Sequence, residues 1–206
     1  MQNNVKITNL VTKYRQDFAI IAGWVGFGSK VLDLGCGDGE LLTYLRKSLE
    51  IKGYGVEKDD ANWLACMQNG SNVIQMDLEA GLSGFEDQSF DTVILSQTLQ
   101  AMHNTEEIVQ EMLRVGREII VTFPNFGYWR NRIQIASGGH MPVSKTLPYQ
   151  WFNTPNVHLC TINDFDKFCK DHKISVIERK VITDGVEVSF MPNLLGNLAM
   201  YRLKTR

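Results

Sequence analysis

The chain has 206 residues, of which 44% are hydrophobic, and this is enough to bury one core of ordinary size, so we predict a single domain over residues 1–206. Its formal charge is -2 at pH 7 with a pI near 6.1, and no run of lysine and arginine is longer than a pair, which argues against nucleic acid as a partner. Apolar stretches near the start fall far short of the ~20 residues that cross a bilayer, and no charged-then-apolar signal opens the chain, so we expect a cytoplasmic protein without membrane contact.

Strand-like and helix-like segments alternate along the chain. The predicted helices cover about residues 7–24, 40–48, 60–69, 105–115 and 162–172. The predicted strands cover about residues 31–34, 53–57, 72–76, 90–96, 118–123, 174–182 and 198–204. Because uninterrupted apolar strands between helices are typical of strands covered on both faces, the pattern predicts a doubly wound, Rossmann-like three-layer α/β sandwich with a mostly parallel sheet.

The turn between the first predicted strand and the next helix is rich in glycine. Three glycines alternate with other residues after an acid, at positions 35, 37 and 39 following Asp33. They allow a sharp turn and leave bare backbone as a binding surface. The spacing differs from the dinucleotide fingerprint, no lysine follows, and Glu40 disfavours a pyrophosphate at the helix start. A cationic ligand such as S-adenosylmethionine fits better, with Asp33 facing its sulfonium and ammonium end.

Further polar residues stand at the ends of the following strands. Glu57 ends the second strand roughly 20 residues beyond the glycines, where a carboxylate accepts the two ribose hydroxyls, although it is also placed to cap the next helix. Asp77 follows the third strand and is a candidate for the adenine amino group, with Leu78 against the ring. Ser96 ends the fourth strand. Because the carboxyl ends of parallel strands share one edge of a sheet, we expect all of these groups to line one crevice.

The four cysteines are scattered, with no Cys-x-x-Cys pair and no clustered histidines, so we expect reduced thiols and no metal site. Cys36 lies inside the glycine turn. A reactive thiol is conceivable there, but a small side chain packing behind a tight loop is the interpretation we favour.

From the glycine turn through the fourth strand, the pattern resembles class I S-adenosylmethionine-dependent methyltransferases. Over nearly the full length it more closely resembles the methionine biosynthesis family MetW. The blocks that carry this second resemblance are residues 31–42, 94–100, 123–127, 141–143, 147–149 and 154–161. The resemblance implies a fold of the class I methyltransferase type, S-adenosylmethionine or S-adenosylhomocysteine as cofactor, and a homoserine O-acyltransferase of the MetX type as partner. The candidate cofactor-binding residues are Asp33, Gly35, Cys36, Gly37, Gly39, Glu57, Asp77, Leu78 and Ser96.

A long stretch at about 124–160 is predicted to be irregular and combines aromatic and basic side chains. Stretches of this kind form lids, partner surfaces or a satellite core, and the sequence leaves all three open. As a lid it would turn one of four side chains toward an acceptor. These candidate catalytic residues are Tyr128, His140, Tyr149 and His158.

Two functions follow from these features. The first is a cofactor-binding accessory protein that acts on a homoserine acyltransferase, and the second is a methyltransferase for a small-molecule acceptor. Methyl transfer from a sulfonium depends mainly on alignment, and a base is needed only when the acceptor must lose a proton. The loop after the fourth strand holds Gln100, which cannot take up a proton, and His103, which we expect at the surface.

Overall fold

The computed structural model describes residues 15–205. The described strands are β1 (Lys30–Leu34), β2 (Lys52–Glu57), β3 (Asn72–Gln75), β4 (Phe90–Ser96), β5 (Gly116–Pro124), β6 (Ile174–Thr183), β7 (Val186–Glu187) and β8 (Leu198–Thr205). The described helices are α1 (Gln16–Trp24), α2 (Glu40–Leu49), α3 (Asp60–Gln68), α4 (Thr105–Val115), α5 (Trp129–Gly138), α6 (Ile162–Asp171) and α7 (Pro192–Leu195). Residues 7–14 of the first predicted helix lie outside the described part.

The strands form one sheet in the order β3-β2-β1-β4-β5-β8-β6-β7. β1 pairs in parallel with β2 and β4, and β2 pairs in parallel with β3. β6 runs antiparallel to β7 and β8. The predicted fold class, a mostly parallel doubly wound α/β sheet, is confirmed. β1 is buried from Val31 to Leu34 without alternation, as expected of a strand covered on both faces.

The chain divides into two compact units. The first comprises the described chain up to Ser96 together with Glu107–Ile120, and the second comprises Gln97–Glu106 together with the chain from Val121 onward. The first unit therefore contains the glycine turn and the carboxyl ends of β1, β2 and β3. Among the described residues, no helix is long and apolar enough to cross a membrane.

The stretch at about 124–160 is less irregular than predicted, because α5 forms within it. Only Asn131 of this helix is buried, and its large apolar side chains Trp129, Ile133 and Ile135 are exposed. A helix is recognised in a sequence by a stripe of apolar residues that packs on a core. α5 has no such stripe, and the periodicity therefore failed to reveal it.

A buried amide organises the second unit just after β5. Asn125 is 1% exposed, and its Oδ1 accepts hydrogen bonds from the backbone N–H groups of Gly127 (3.0 Å) and Ile162 (3.3 Å). Its Nδ2 donates to the carbonyls of Asn193 (3.0 Å) and Gly196 (2.7 Å). One side chain thus joins the end of β5, the start of α6 and the segment before β8.

Replacing Asn125 with alanine is expected to lower the free energy of unfolding by about 3 kcal/mol, because the change leaves buried backbone groups unsatisfied. Urea denaturation followed by circular dichroism measures this. Asn163→Ala is the control, since Asn163 is exposed on α6 and should change stability by no more than about 0.5 kcal/mol. Equal stabilities of the two variants would contradict the role assigned to Asn125.

Candidate functional site

The turn between β1 and α2 adopts a conformation that depends on its glycines. Gly35, Gly37 and Gly39 all have left-handed φ angles, of 68°, 56° and 77°. The backbone N–H groups of Gly35 and Cys36 both donate to the carbonyl of Val56, at 2.8 and 3.0 Å, and so fasten the turn to β2. A Cβ at Gly37 would meet no atom of the described chain within 4 Å beyond its two chain neighbours, so in this part of the structure the glycine borders open space rather than packed protein. The turn therefore presents accessible backbone, as a close-fitting ligand requires.

Glu57, at the end of β2, binds the glycine turn directly. Its Oε2 accepts a hydrogen bond from the N–H of Gly37 at 2.9 Å, and its Oε1 accepts from the N–H groups of Lys58 and Asp59, both at 2.9 Å. A carboxylate has about four acceptor positions, so these three bonds leave room for one more at Oε2. Glu57 therefore holds the turn in place, a structural role that the sequence did not indicate. It also keeps one acceptor position, which is available to a ligand hydroxyl such as that of a ribose.

Asp33 lies at the carboxyl half of β1 and is 2% exposed. Its Oδ1 is buried and has no hydrogen-bond partner within the described residues. Burial raises the pKa of Asp33 from 3.8 to about 7; the Arg15 guanidinium opposes this rise and the Glu57 carboxylate adds to it. A buried, unsatisfied carboxyl oxygen is costly unless a partner is supplied. A cationic donor from a ligand would satisfy it.

Arg15 was not foreseen as a site residue. Its guanidinium pairs with Asp17, donates from Nη2 to the Ser96 Oγ at 3.0 Å, and acts electrostatically on Asp33. Ser96, at the end of β4, is thereby joined through Arg15 to the same group of side chains. Sequence spacing could not reveal this arrangement, since Arg15 and Ser96 are 81 positions apart.

The thiol of Cys36 points behind the turn, where its Sγ lies 3.8 Å from that of Cys66 on α3. Both thiols are buried and reduced, and burial raises the pKa of each. A Cβ on Gly55 would come within 2.5 Å of the Cys36 Sγ, so this thiol fills the space that the glycine leaves. These observations support packing rather than reactivity. Among the described residues, no cluster of side chains could hold a metal ion.

A cavity of about 630 Å³ opens beside the carboxyl ends of β2 and β3. Its lining residues are Lys58, Asp59, Asp60, Gln75, Met76 and Asp77. Asp77 is one of these lining residues, and its Oδ1 accepts a hydrogen bond from the Glu79 N–H at 3.0 Å. Met76 supplies the apolar wall of the cavity. Leu78, which the sequence suggested would lie against the ring, is 8% exposed and is not among the lining residues. The cavity combines an apolar surface with carboxylates, a combination suited to a purine ring with an exocyclic amine.

The four candidate catalytic residues all lie in the second unit. Tyr128 is buried at the start of α5, and His140 and Tyr149 are exposed. His158 is held against the loop after β4, where its Nε2 lies 3.1 Å from the carbonyl oxygen of His103. Since a carbonyl can only accept, the Nε2 of His158 carries a proton, and the neutral ring has its basic lone pair on Nδ1.

A family profile described as "Methionine biosynthesis protein MetW" matches residues 15–203. The chain belongs to the MetW family. A curated relative from Rhodopirellula baltica, "Bifunctional methionine biosynthesis protein MetXA/MetW", is 39% identical over 187 residues, which cover 84% of this chain. The match covers 30% of that relative, so this MetW-family chain spans under a third of its length.

Several solved structures share this fold. A Mesorhizobium loti S-adenosylmethionine-dependent methyltransferase superimposes with a TM-score of 0.69 at 14% identity, covering 93% of this chain and 98% of its own. An Archaeoglobus fulgidus methyltransferase gives 0.63 at 18% identity, covering 94% and 96%. The [4+2]-cyclase SpnF gives 0.66 at 14% identity, covering 91% and 80%. At these identities the likeness establishes the fold alone, and it confirms the class I methyltransferase architecture.

Proposed function

We propose that this MetW-family chain binds S-adenosylmethionine or S-adenosylhomocysteine at the glycine turn and acts with a homoserine O-acyltransferase of the MetX type, supporting or regulating homoserine acylation. One observation carries the cofactor part: Asp33 has a buried oxygen with no hydrogen-bond partner within residues 15–205, beside a turn of bare backbone. The relative whose name joins MetXA and MetW supports the partnership, since fused chains commonly correspond to separate chains that work together.

We assign residues of the first unit to the parts of the cofactor. Asp33 is assigned to the ammonium and Arg15 to the carboxylate of the amino-acid end. The remaining acceptor position of Glu57 is assigned to a ribose hydroxyl, and the cavity at Met76 and Asp77 to the adenine. S-adenosylmethionine, when bound, would supply an electrophilic methyl group on a sulfonium, and the carboxylate of Asp33 would stabilise the positive charge of its amino-acid end.

The affinity for S-adenosylmethionine is expected to be highest between about pH 7 and pH 8. Asp33 must be ionised to pair with the ammonium, and its pKa is about 7. The α-amino group must stay protonated, and such groups titrate at about 7.7–8.0. Calorimetric titrations from pH 6 to pH 9 measure this, and affinity should fall about tenfold per pH unit below 7. A flat profile between pH 6 and pH 7.5 would argue against the Asp33–ammonium pair.

The partnership is tested with the purified chain and a MetX-type acyltransferase from the same organism. We expect the two to co-elute from a size-exclusion column, and the rate of homoserine acylation to change on addition of the MetW-family chain. Adding S-adenosylmethionine should alter the rate further, and a variant that cannot bind the cofactor should lose only this further change. Separate elution with an unchanged acylation rate would falsify the proposal.

A second candidate function is methyl transfer to a small molecule. The observation in its favour is the free Nδ1 lone pair of His158, which is a base fixed by its neighbour at the loop after β4. Incubation with S-adenosylmethionine labelled in the methyl group and a metabolite extract should then yield a labelled product that disappears with His158→Gln. No labelled product would exclude this function for the extract tested.

A further inference from the structure

Half of the exposed large hydrophobic side chains in the described chain, ten of twenty, lie between residues 129 and 159, which we call the 129–159 segment. Its exposed members are Trp129, Ile133, Ile135, Met141, Val143, Tyr149, Trp151, Phe152, Val157 and Leu159. Trp151 and Phe152 are the most exposed, at 74% and 69%. Such a concentration of apolar surface marks an interaction site rather than ordinary surface.

The segment is held in place by hydrogen bonds. Gln134 on α5 exchanges a pair of bonds with the backbone of Val143, and the N–H groups of Val157 and His158 both donate to the carbonyl of Gln100. The aromatic pair Trp151 and Phe152 sits in a turn closed by Gln150 and Asn153, and the two rings meet edge to face at 5.8 Å. A surface ordered beforehand loses little entropy when a partner binds.

The charged side chains of the segment are all basic. Asp and Glu account for 23 of the 206 residues, yet none lies between Glu118 and Asp164. Lys145 is paired with Asp184, outside the segment. Within residues 15–205, Arg130 and Arg132 have no carboxylate partner, and Arg130 stacks over the ring of Trp129 at 5.4 Å. Arginine and large aromatic residues are the types enriched at the centres of protein interfaces.

We propose that the 129–159 segment is the surface that docks the acyltransferase, and that the partner's matching face is an apolar patch bordered by carboxylates. This inference rests on the proposed function. A second copy of this chain is a poorer occupant, because a twofold contact would bring the same two arginines, which lack a carboxylate partner among the described residues, together with no acid between them. Nucleic acid is also a poorer occupant, since two arginines in a chain of net charge -2 provide little phosphate neutralisation.

Binding of the acyltransferase is measured by calorimetry with two variants that leave the fold intact. Arg130→Glu reverses a charge that makes no ion pair within the described chain, and the double variant Trp151→Ala/Phe152→Ala removes two exposed rings. We expect Arg130→Glu to weaken binding about 10-fold and the double variant about 100-fold. The wild-type affinity should also fall as salt is raised. Lys52→Glu and Phe27→Ala are the matched controls, because both residues are exposed in the first unit, and they should bind as wild type does.

The outcomes separate this inference from the proposed function. Wild-type affinity in both surface variants would overturn the docking surface and leave the partnership standing. No binding by the wild-type chain would overturn both. Weaker binding of S-adenosylmethionine by the surface variants, with acyltransferase binding intact, would instead identify a lid. A dimer of the chain alone that dissociates in the double variant would assign the surface to a second copy and also overturn the inference.

Discussion

Asp33→Asn is expected to make the folded chain more stable at pH 7 and above while abolishing S-adenosylmethionine binding. Asp33 is 2% exposed, and its pKa in the folded chain, about 7, is above the ordinary value of 3.8. The folded state therefore retains a proton that the unfolded state has already lost. Between about pH 4 and pH 7 the unfolded state binds fewer protons, so the contribution of Asp33 to the free energy of unfolding falls as pH rises. Above pH 7 this loss is complete and constant.

A rise from 3.8 to about 7 corresponds to a loss on the order of 4 kcal/mol, since one pKa unit is worth about 1.4 kcal/mol. Asparagine has nearly the same shape but no ionisation to suppress, so the difference in stability between the variant and the wild type should grow from about pH 4 to pH 7. Urea denaturation at a series of pH values measures it. Glu86→Gln is the control, because Glu86 is exposed and its curve should run parallel to that of the wild type. A variant less stable than the wild type at pH 8 would show that the burial cost of Asp33 is offset within the protein.

The stability gain and the binding loss have one origin. A buried carboxylate without a full set of partners is unfavourable in the free protein, and it becomes favourable only when a cation arrives. Sites that keep such groups commonly give up stability for function. Measuring both quantities on one variant distinguishes a binding residue from a merely tolerated polar residue, which would show the stability change alone.

Gly37→Val is expected to weaken S-adenosylmethionine binding at least 100-fold with only a modest loss of stability. The φ angle of 56° disfavours a β-branched residue by about 1 to 2 kcal/mol. Apart from its two chain neighbours, no atom of residues 15–205 lies within 4 Å of the added Cβ, so no clash with that part of the chain enlarges this cost. The branched side chain would instead occupy the open space above the turn, where the cofactor is proposed to approach the backbone.

The matched control for this prediction is Gly28→Val. Gly28 has a φ angle of 68°, and an added Cβ there likewise meets no described atom within 4 Å beyond its chain neighbours, but Gly28 lies in the turn before β1. The two variants should therefore lose similar stability in thermal unfolding, while only Gly37→Val loses affinity in calorimetry. Equal affinities of both variants would mean that the binding surface lies elsewhere.

The sequence by itself determined the elements of the first unit and the position of the glycine turn. Local spacing was sufficient here, because an apolar strand, a left-handed glycine turn and an amphipathic helix each leave a short-range pattern. Parallel pairing then brings the ends of β1 and β2 to one edge, so the neighbourhood of Asp33 and Glu57 also followed from chain order. The family resemblance rested on motif blocks of the same local kind.

Only the tertiary structure decided which atoms within that neighbourhood are committed to other partners. Glu57 binds the backbone of the glycine turn, Arg15 reaches Ser96 across 81 positions, and Cys36 packs against Cys66. These contacts depend on packing between distant segments, which no local pattern encodes. The sequence pattern did not predict α5, because its large apolar side chains are exposed and it lacks the buried apolar stripe that identifies a helix in a sequence.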